Sequence, residues 1–556
     1  MAASGSAALP NYNVDLSHVE DPTERRRLAL SRIDDAPFGW RHARAVVVAG
    51  VGFFTDSYDI FAINLCSSML GAVFWQHATT RPGKMPYSSD TAIKVSTSAG
   101  TVIGQLFFGW LANIVGRKRM YGIELIIIIL ATLAVSVLEL SCSVHHEPVG
   151  LLAYSHGRRN WWFANTKQGF GQFAAAIVAL IVTVGFKGSL ETAASVSKCS
   201  GVCQLAVDKM WRVVIGFGAV PACLALYYRL TIPETPRYTF DVARDLLKAD
   251  EDVQAYILGK REGYPDEVQR VAVLRSADIR AATPKASWSD FRSHSTTGKH
   301  YKVLLSTAGS WFFLDVAFYG LGLNNSIILT AIGWNGGSTV YEYFYRNAVG
   351  NLILICAGAI PGYWVTVATV DRLGRKPIQI TGFLILTIIF IVIGFAYEPL
   401  EKSDNGLLAL YVVAQFFFNF GPNATTFIVP GECFPTRYRS TSHGISAASG
   451  KIGPIIAQYV FGPLAHRGAK GGVNSVDAPW LNHVMQIFAL FMLCGCLTSL
   501  LIPETKRLTL EYLSSEELPA STSTSTPTAT LSGQKGPKGD RTNEAVTEPH
   551  AGNGRE

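Results

Sequence analysis

Charge is scarce in this chain: Asp, Glu, Lys and Arg make up 16% of its 556 residues, against 49% hydrophobic. A soluble helical protein would need a polar face on each long helix, and blocks such as IELIIIILATLAVSVL (123–138) and ITGFLILTIIFIVIGFA (380–396) carry no charge beyond one Glu. Cysteine offers no framework either. The nine residues are scattered and odd in number, mostly inside apolar blocks (Cys66, Cys223, Cys356, Cys494), so they read as packing residues, with a Cys199–Cys203 bridge in a short loop the one alternative. A Gly-x-Gly-x-x-Gly turn after a strand, a metal-ligand cluster and a nucleophile constellation are all missing, which argues against an enzyme and leaves no cofactor or metal to expect. The polar first 40 residues, with DPTERRRLALSR, lack a charged-apolar-small cleavage pattern, so no signal peptide is expected. A net charge of +7 fits Lys and Arg held on cytoplasmic loops and does not call for a nucleic-acid partner.

What the chain does have is a series of apolar blocks of about 20 residues, each long enough for a hydrocarbon core of roughly 30 Å. They predict an all-α membrane protein with spans near 44–72, 93–115, 119–141, 168–187, 211–231, 303–330, 346–369, 379–397, 407–428, 443–464 and 484–502, eleven in all. The expected organisation is a cytoplasmic N-terminal segment (1–43), an N-terminal helical bundle (44–231), a cytoplasmic central loop (232–302), a C-terminal six-helix bundle (303–502) and a cytoplasmic, disordered Ser/Thr/Pro tail (503–556).

The halves repeat one another. VGRKRMYG (115–122) returns as LGRKPIQITG (373–382), and IPETPR (232–237) as IPETKR (502–507). Four apolar blocks lie between these marks in the second half and only three in the first. Parity says the same: both Gly-Arg-Lys loops are basic and therefore cytoplasmic, the crossings between them must be even, and five are found. The missing crossing falls on HHEPVGLLAYSHGRRNWWFANTK (145–167), too polar to span, since each ionised residue near the bilayer centre costs about 2.5–3.5 kcal/mol. The expectation is a misread exon, with a twelfth span in the natural product; a genuine extramembrane loop is the alternative.

Two six-span halves, a Gly-Arg-Lys loop after the second span of each and Pro-Glu-Thr-Pro-Arg after the sixth resemble the major facilitator superfamily over about residues 40–512. More narrowly, AGVGFFTDSYDIFAINL (49–65), WFFLDVAFYGLGLN (311–324), PGYWVTVATVDRLGRKPIQ (361–379) and FNFGPNATTFIVPGECFPTRYRSTSHGISAASGKIG (418–453) are similar to the fungal and plant proton-coupled inorganic phosphate symporters. The resemblance implies two pseudo-repeated bundles, a plasma-membrane location with both termini cytoplasmic, and phosphate, protons and lipid as partners. It also implies a Gly-Gly-Asp-Tyr-Pro motif in the fourth span. That motif is absent here, and the family pattern resumes at QGFGQ (168–172), where the anomalous stretch ends.

Phosphate within a bilayer needs many donors, a countercharge and a way to cancel nearby carboxylates. Trp311, Asp315 and Tyr319 recur at spacing four and stack along one face of the span expected at 303–330, the seventh of the family's twelve. Asp315 can donate only when protonated, and beside an anion its ionised form is repulsive, so proton and phosphate are expected to load together. The resemblance adds phosphate contacts at Gln168 and Asn423, with Lys451 in SGKIGP as the countercharge. Asp56 and Asp59, about a helical turn apart, and Glu124 suit a proton relay with Asp315. Gly116, Arg117, Asp371, Gly374 and Arg375 form the expected conformational latch, weakened in the first half because Asn113 stands where the superfamily loop usually has Asp. The sequons Asn324-Asn-Ser and Asn423-Ala-Thr lie in apolar spans and are not expected to carry glycans. A sugar porter of the same superfamily and a non-transporting phosphate-binding product are the rival readings.

Overall fold

The computed structural model describes residues 40–78, 82–115, 117–138, 159–231, 288–296, 298–331, 333–334, 337–403, 406–469, 478–506 and 508. The tail beyond residue 508, most of the central loop and the stretch 139–158 lie outside the described residues, and with them most of the anomalous segment.

Every regular element among the described residues is a helix. Those of seven or more residues are, in chain order, α1 (Trp40–Phe74), α2 (Tyr87–Val115), α3 (Arg117–Leu138), α4 (Arg159–Gly185), α5 (Val202–Gly216), α6 (Ala219–Thr231), α7 (Trp288–Thr296), α8 (Gly298–Gly322) and α9 (Asn325–Ala331). They continue with α10 (Val340–Ile353), α11 (Ile360–Leu373), α12 (Arg375–Phe395), α13 (Gly406–Asn419), α14 (Pro422–Cys433), α15 (Thr436–Ile456) and α16 (Leu481–Ser499). A π-helical turn, Leu354–Ala359, joins α10 to α11, and another, Ala457–Phe461, continues α15.

Seven helical runs among the described residues are long and apolar enough to cross a membrane, fewer than the eleven expected. The difference has a physical cause in α2 and α15. These helices pack against each other and bury polar side chains, Lys94, Thr97, Ser98, Thr101 and Gln105 from one, Arg439, His443, Ser446 and Lys451 from the other. Mean hydropathy falls because the polar face points into the protein, the arrangement expected of ionisable groups inside a membrane. Close approach makes it feasible: a Cβ on Gly444 would sit 2.7 Å from the Gln105 carbonyl oxygen.

Two boundaries differ from the expected spans. α4 starts at Arg159 rather than at 168; RNWWFANTK contains neither Pro nor Gly, so the backbone carries the helix back into the polar stretch. The expected span 211–231 is two helices, α5 and α6, meeting at Phe217–Gly218. Cys199 and Cys203, at the start of α5, form a disulfide; of the cysteines expected to pack, Cys66 is buried, Cys494 half-buried, and Cys223 and Cys356 are exposed.

Two apolar cores hold the bundle. One gathers α8, α12, α13 and α16 side chains such as Phe318, Phe383, Phe390, Phe418 and Phe488, and takes in Ile60 and Phe61 from α1. The other gathers α1, α4 and α5 residues such as Tyr58, Cys66, Ala175 and Trp211, and takes in Val340 and Phe344 from α10. Each core borrows from the other half, so the halves share an interface rather than merely adjoin.

Candidate functional site

Between the halves lies a cavity lined by Asp56, Ser57, Ile60 and Phe61 of α1, Gln168 of α4, Trp311, Asp315 and Tyr319 of α8, Asn423 and Phe427 of α14, and Lys451 of α15. All six residues expected to contact the anion stand around this one space. Five helices from distant parts of the chain converge there, and the spacing-four ladder on α8 supplies three of the six.

The centre of the cavity is a buried ion pair. Lys451 Nζ lies 3.2 Å from Asp315 Oδ2, with both side chains 4% exposed or less. The same ammonium donates to Tyr319 Oη at 2.8 Å and sits 4.2 Å from the centre of that ring. Lys451 is thus partnered by a carboxylate, whereas the sequence suggests only that it would face an anion. A desolvated pair of this kind is costly to break by removing one member, about 3–5 kcal/mol, which holds it together until another anion competes for the lysine.

A second chain of bonds ties five helices, α1, α4, α11, α13 and α14, across the cavity wall. Tyr363 Oη on α11 donates to Gln168 Oε1 at 3.0 Å and accepts from Asn423 Nδ2 at 2.7 Å; Asn423 Nδ2 also donates to Asn419 Oδ1 at 2.8 Å. Ser57 Oγ donates to the Gln168 carbonyl at 2.7 Å. Tyr363 orients both amides, and nothing in its sequence neighbourhood PGYWV marks that role; its signal is a lone Tyr in an apolar run.

Trp311 is wedged. Its ring centre is 5.9 Å from that of Phe427 and 5.4 Å from that of His443, both at steep angles. A Cβ on Gly450 would fall 2.6 Å from Trp311 Cδ1. His443, fully buried, contacts the carbonyl of Phe427 through Nε2 at 3.2 Å and acts from behind the indole.

The expected proton-relay carboxylates separate. Asp56 is 4% exposed and lines the cavity. Asp59 points elsewhere: a Cβ on Gly218 would meet its Oδ1 at 2.1 Å, so it faces the α5–α6 junction. Glu124 lies in α3, and its side chain is outside the described residues.

The expected latch residues fall into two groups. Gly116 lies outside the described residues; Arg117 opens α3 and Asn113 lies in α2, both with side chains that are not described. In the second half Arg375 is completely buried and donates to Asp371 Oδ1 at 3.0 Å and to both carboxylate oxygens of Glu432, at 3.2 and 3.0 Å. Glu504, from IPETKR, accepts from the backbone N–H groups of Arg375 and Lys376, both at 3.1 Å, a carboxylate capping the positive end of α12. Gly374 permits the turn, with φ +104° and no room for a side chain beside Glu504. Glu432 and Glu504 escape a sequence reading because they lie 57 and 129 residues from Arg375.

A helical bundle with apolar outer faces and a buried, charged, amide-rimmed cavity between two halves defines a membrane transporter. The chain matches the Sugar (and other) transporter family over residues 45–146 and 170–516, and it belongs to that family, within the major facilitator superfamily. The match breaks between residues 146 and 170, across the polar stretch. The repressible high-affinity phosphate permease of Neurospora crassa is 55% identical, covering 92% of this chain and 93% of the permease. The inorganic phosphate transporter PHO84 of Saccharomyces cerevisiae is 51% identical, covering 92% and 91%. Among solved structures, the proton:xylose symporter XylE superposes with a TM-score of 0.61 at 19% identity, covering 85% of this chain and 98% of XylE, a likeness of fold alone. The relatives are permeases and transporters, not enzymes.

Proposed function

We propose that this protein imports inorganic phosphate across the plasma membrane, coupled to protons, by alternating access of its two bundles around the Asp315–Lys451 cavity. The observation that carries the reading is the buried pair itself. Among the described residues Lys451 is the one cation on the cavity wall, and it is held by Asp315. Phosphate and Asp315 therefore compete for one ammonium. Protonating Asp315 removes the competitor and the repulsion in a single step, freeing Lys451 for the anion while Trp311, Gln168, Tyr319 and Asn423 supply donors.

The charge balance follows. Empty, the site holds Lys⁺ and Asp⁻; loaded with a proton and monovalent phosphate, it holds Lys⁺ and the anion. Counting the pair and its ligand alone, neither form carries net charge, which favours reorientation within a low-dielectric interior. One proton with a monovalent anion moves no net charge, and a second proton is needed before the membrane potential can drive uptake, at about 2.3 kcal/mol per 100 mV. Asp56, on the same cavity wall, suits that second proton. Release follows on the cytoplasmic side: loss of the Asp315 proton restores the rival anion and expels phosphate. In this scheme the bundles are residues 44–231 and 303–502, both termini are cytoplasmic, and the Arg375–Glu432–Glu504 cluster holds one conformation.

A neutral sugar would gain nothing from a cation bound to a carboxylate, and phosphate transport by the close relatives favours phosphate over the sugar-porter reading. A non-transporting, phosphate-binding product remains the second reading, favoured by the break in the family match between residues 146 and 170. Uptake of radiolabelled phosphate by the chain in proteoliposomes under an inward proton gradient tests both: gradient-driven accumulation supports import, and binding without accumulation supports the second reading.

A further inference from the structure

A second cavity stacks on the first. Among the described residues its lining contains no charged one, but four amides face it: Gln172 of α4, Asn325 of α9, Asn351 of α10 and Gln415 of α13. Its position relative to the charged site is the same on every helix. On α4, Gln172 is one turn beyond Gln168; on α1, Leu65 is one turn beyond Phe61; on α8, Gly322 is past Tyr319. On the run α13–α14, which goes the opposite way, Gln415 comes before the Asn423 that lines the first cavity. All these shifts point to the side on which α1, α4 and α8 end, the outer side under the proposed topology.

One side chain divides the two spaces. Phe61 lines both cavities, stacked on Tyr319 with centres 6.3 Å apart and set edge-on to Phe318 at 6.3 Å. Two of the amides are locked to each other, Asn325 Nδ2 donating to Asn351 Oδ1 at 3.1 Å, while Tyr411 Oη donates to Asn325 Oδ1. Gln172 differs. It is 5% exposed, and no described residue hydrogen-bonds its amide, which faces the cavity with both its donors and its acceptor uncommitted.

We propose that this amide cavity is a second, weaker phosphate site, occupied by the monovalent anion before it passes Phe61 to the charged site; the inference rests on the transport reading above. An amide set can donate N–H to the anion's oxygens and accept its P–O–H protons. The dianion has only one such proton and would lack any countercharge, so the monovalent form is the one this chemistry takes. The absence of a cation keeps the site weak, as a transit site must be if its ligand is to move on.

Equilibrium binding of ³²P-phosphate to the purified full chain tests the proposal. Two classes of site are expected at acid pH. Gln172→Leu should weaken the weaker class at least about tenfold, the effect of losing a hydrogen bond to a charged group, and leave the tighter class within about twofold. Because Gln172 has no partner among the described residues, its replacement leaves no polar group bare and the fold is retained. The double variant Asp315→Leu/Lys451→Met, which removes both members of the buried pair, should abolish the tighter class and spare the weaker. A single class that only the double variant removes would overturn the second site while leaving the transport reading intact. Displacement of the weaker class by excess glucose would overturn its assignment to phosphate. No binding of either class would overturn the transport reading and this inference together.

Discussion

Replacing Asp315 by Asn separates the competition scheme from a plain binding role for the acid. At 3.2 Å the Asp315–Lys451 attraction is about 5 kcal/mol at an effective dielectric of about 20. Asn keeps the shape and removes the charge, leaving Lys451 buried without its carboxylate, which costs the empty protein about 3–5 kcal/mol. Arriving phosphate supplies the missing anion, so most of that cost is returned on binding. If 3 kcal/mol is returned, affinity rises about a hundredfold at a pH where Asp315 is otherwise ionised, at about 1.4 kcal/mol per decade.

The variant should therefore bind phosphate more tightly and transport it worse. In the unmodified protein, binding takes up a proton at Asp315, so affinity falls about tenfold per pH unit once that group is ionised in the empty site. In Asp315→Asn this part of the slope disappears, leaving the ionisation of phosphate and the proton taken up at Asp56, common to both proteins. Radiolabelled phosphate binding to purified protein across pH reads the slope, and proteoliposome accumulation under a proton gradient reads the coupling. Weaker binding at every pH with an unchanged slope, or full gradient-driven accumulation by the variant, would refute the reasoning.

Other perturbations test the walls of the site. Tyr363→Phe removes one hydrogen bond from each of Gln168 and Asn423, about 1 kcal/mol apiece, and should raise the uptake KM roughly fivefold to thirtyfold with little loss of folded protein by thermal unfolding. Gly450→Ala places a methyl against an indole already hemmed by Phe427 and His443; overpacking of about 1–3 kcal/mol should displace Trp311, shift its fluorescence and weaken phosphate binding at least tenfold. Glu504→Gln uncaps α12 and should cost about 1 kcal/mol in denaturant unfolding, while shifting the inward/outward population seen by cysteine-probe accessibility. Unchanged accessibility would detach Glu504 from the latch.

Much of the architecture was legible in hydropathy and in the repeated Gly-Arg-Lys and Pro-Glu-Thr marks, because a membrane demands long apolar helices whatever their function. Helix periodicity also brought Trp311, Asp315 and Tyr319 to one face. Periodicity could not aim Asp59, since lipid and protein interior are equally apolar and a spanning helix need not show which side faces inward. The polar interior faces of α2 and α15 lower their mean hydropathy, yet both were expected, as spans 93–115 and 443–464. Pairings across the chain were out of reach: Asp315 with Lys451, Tyr363 with Gln168, and Arg375 with Glu432 meet only after folding, at separations of 136, 195 and 57 residues.

The central claim is that phosphate displaces Asp315 from Lys451 only as that acid takes up a proton. Difference infrared spectroscopy on phosphate addition, with Asp315→Asn as the reference, measures this directly. The account predicts a protonated carboxyl band gained and a carboxylate band lost at Asp315 when phosphate binds. A carboxylate that stays ionised with phosphate bound would contradict it.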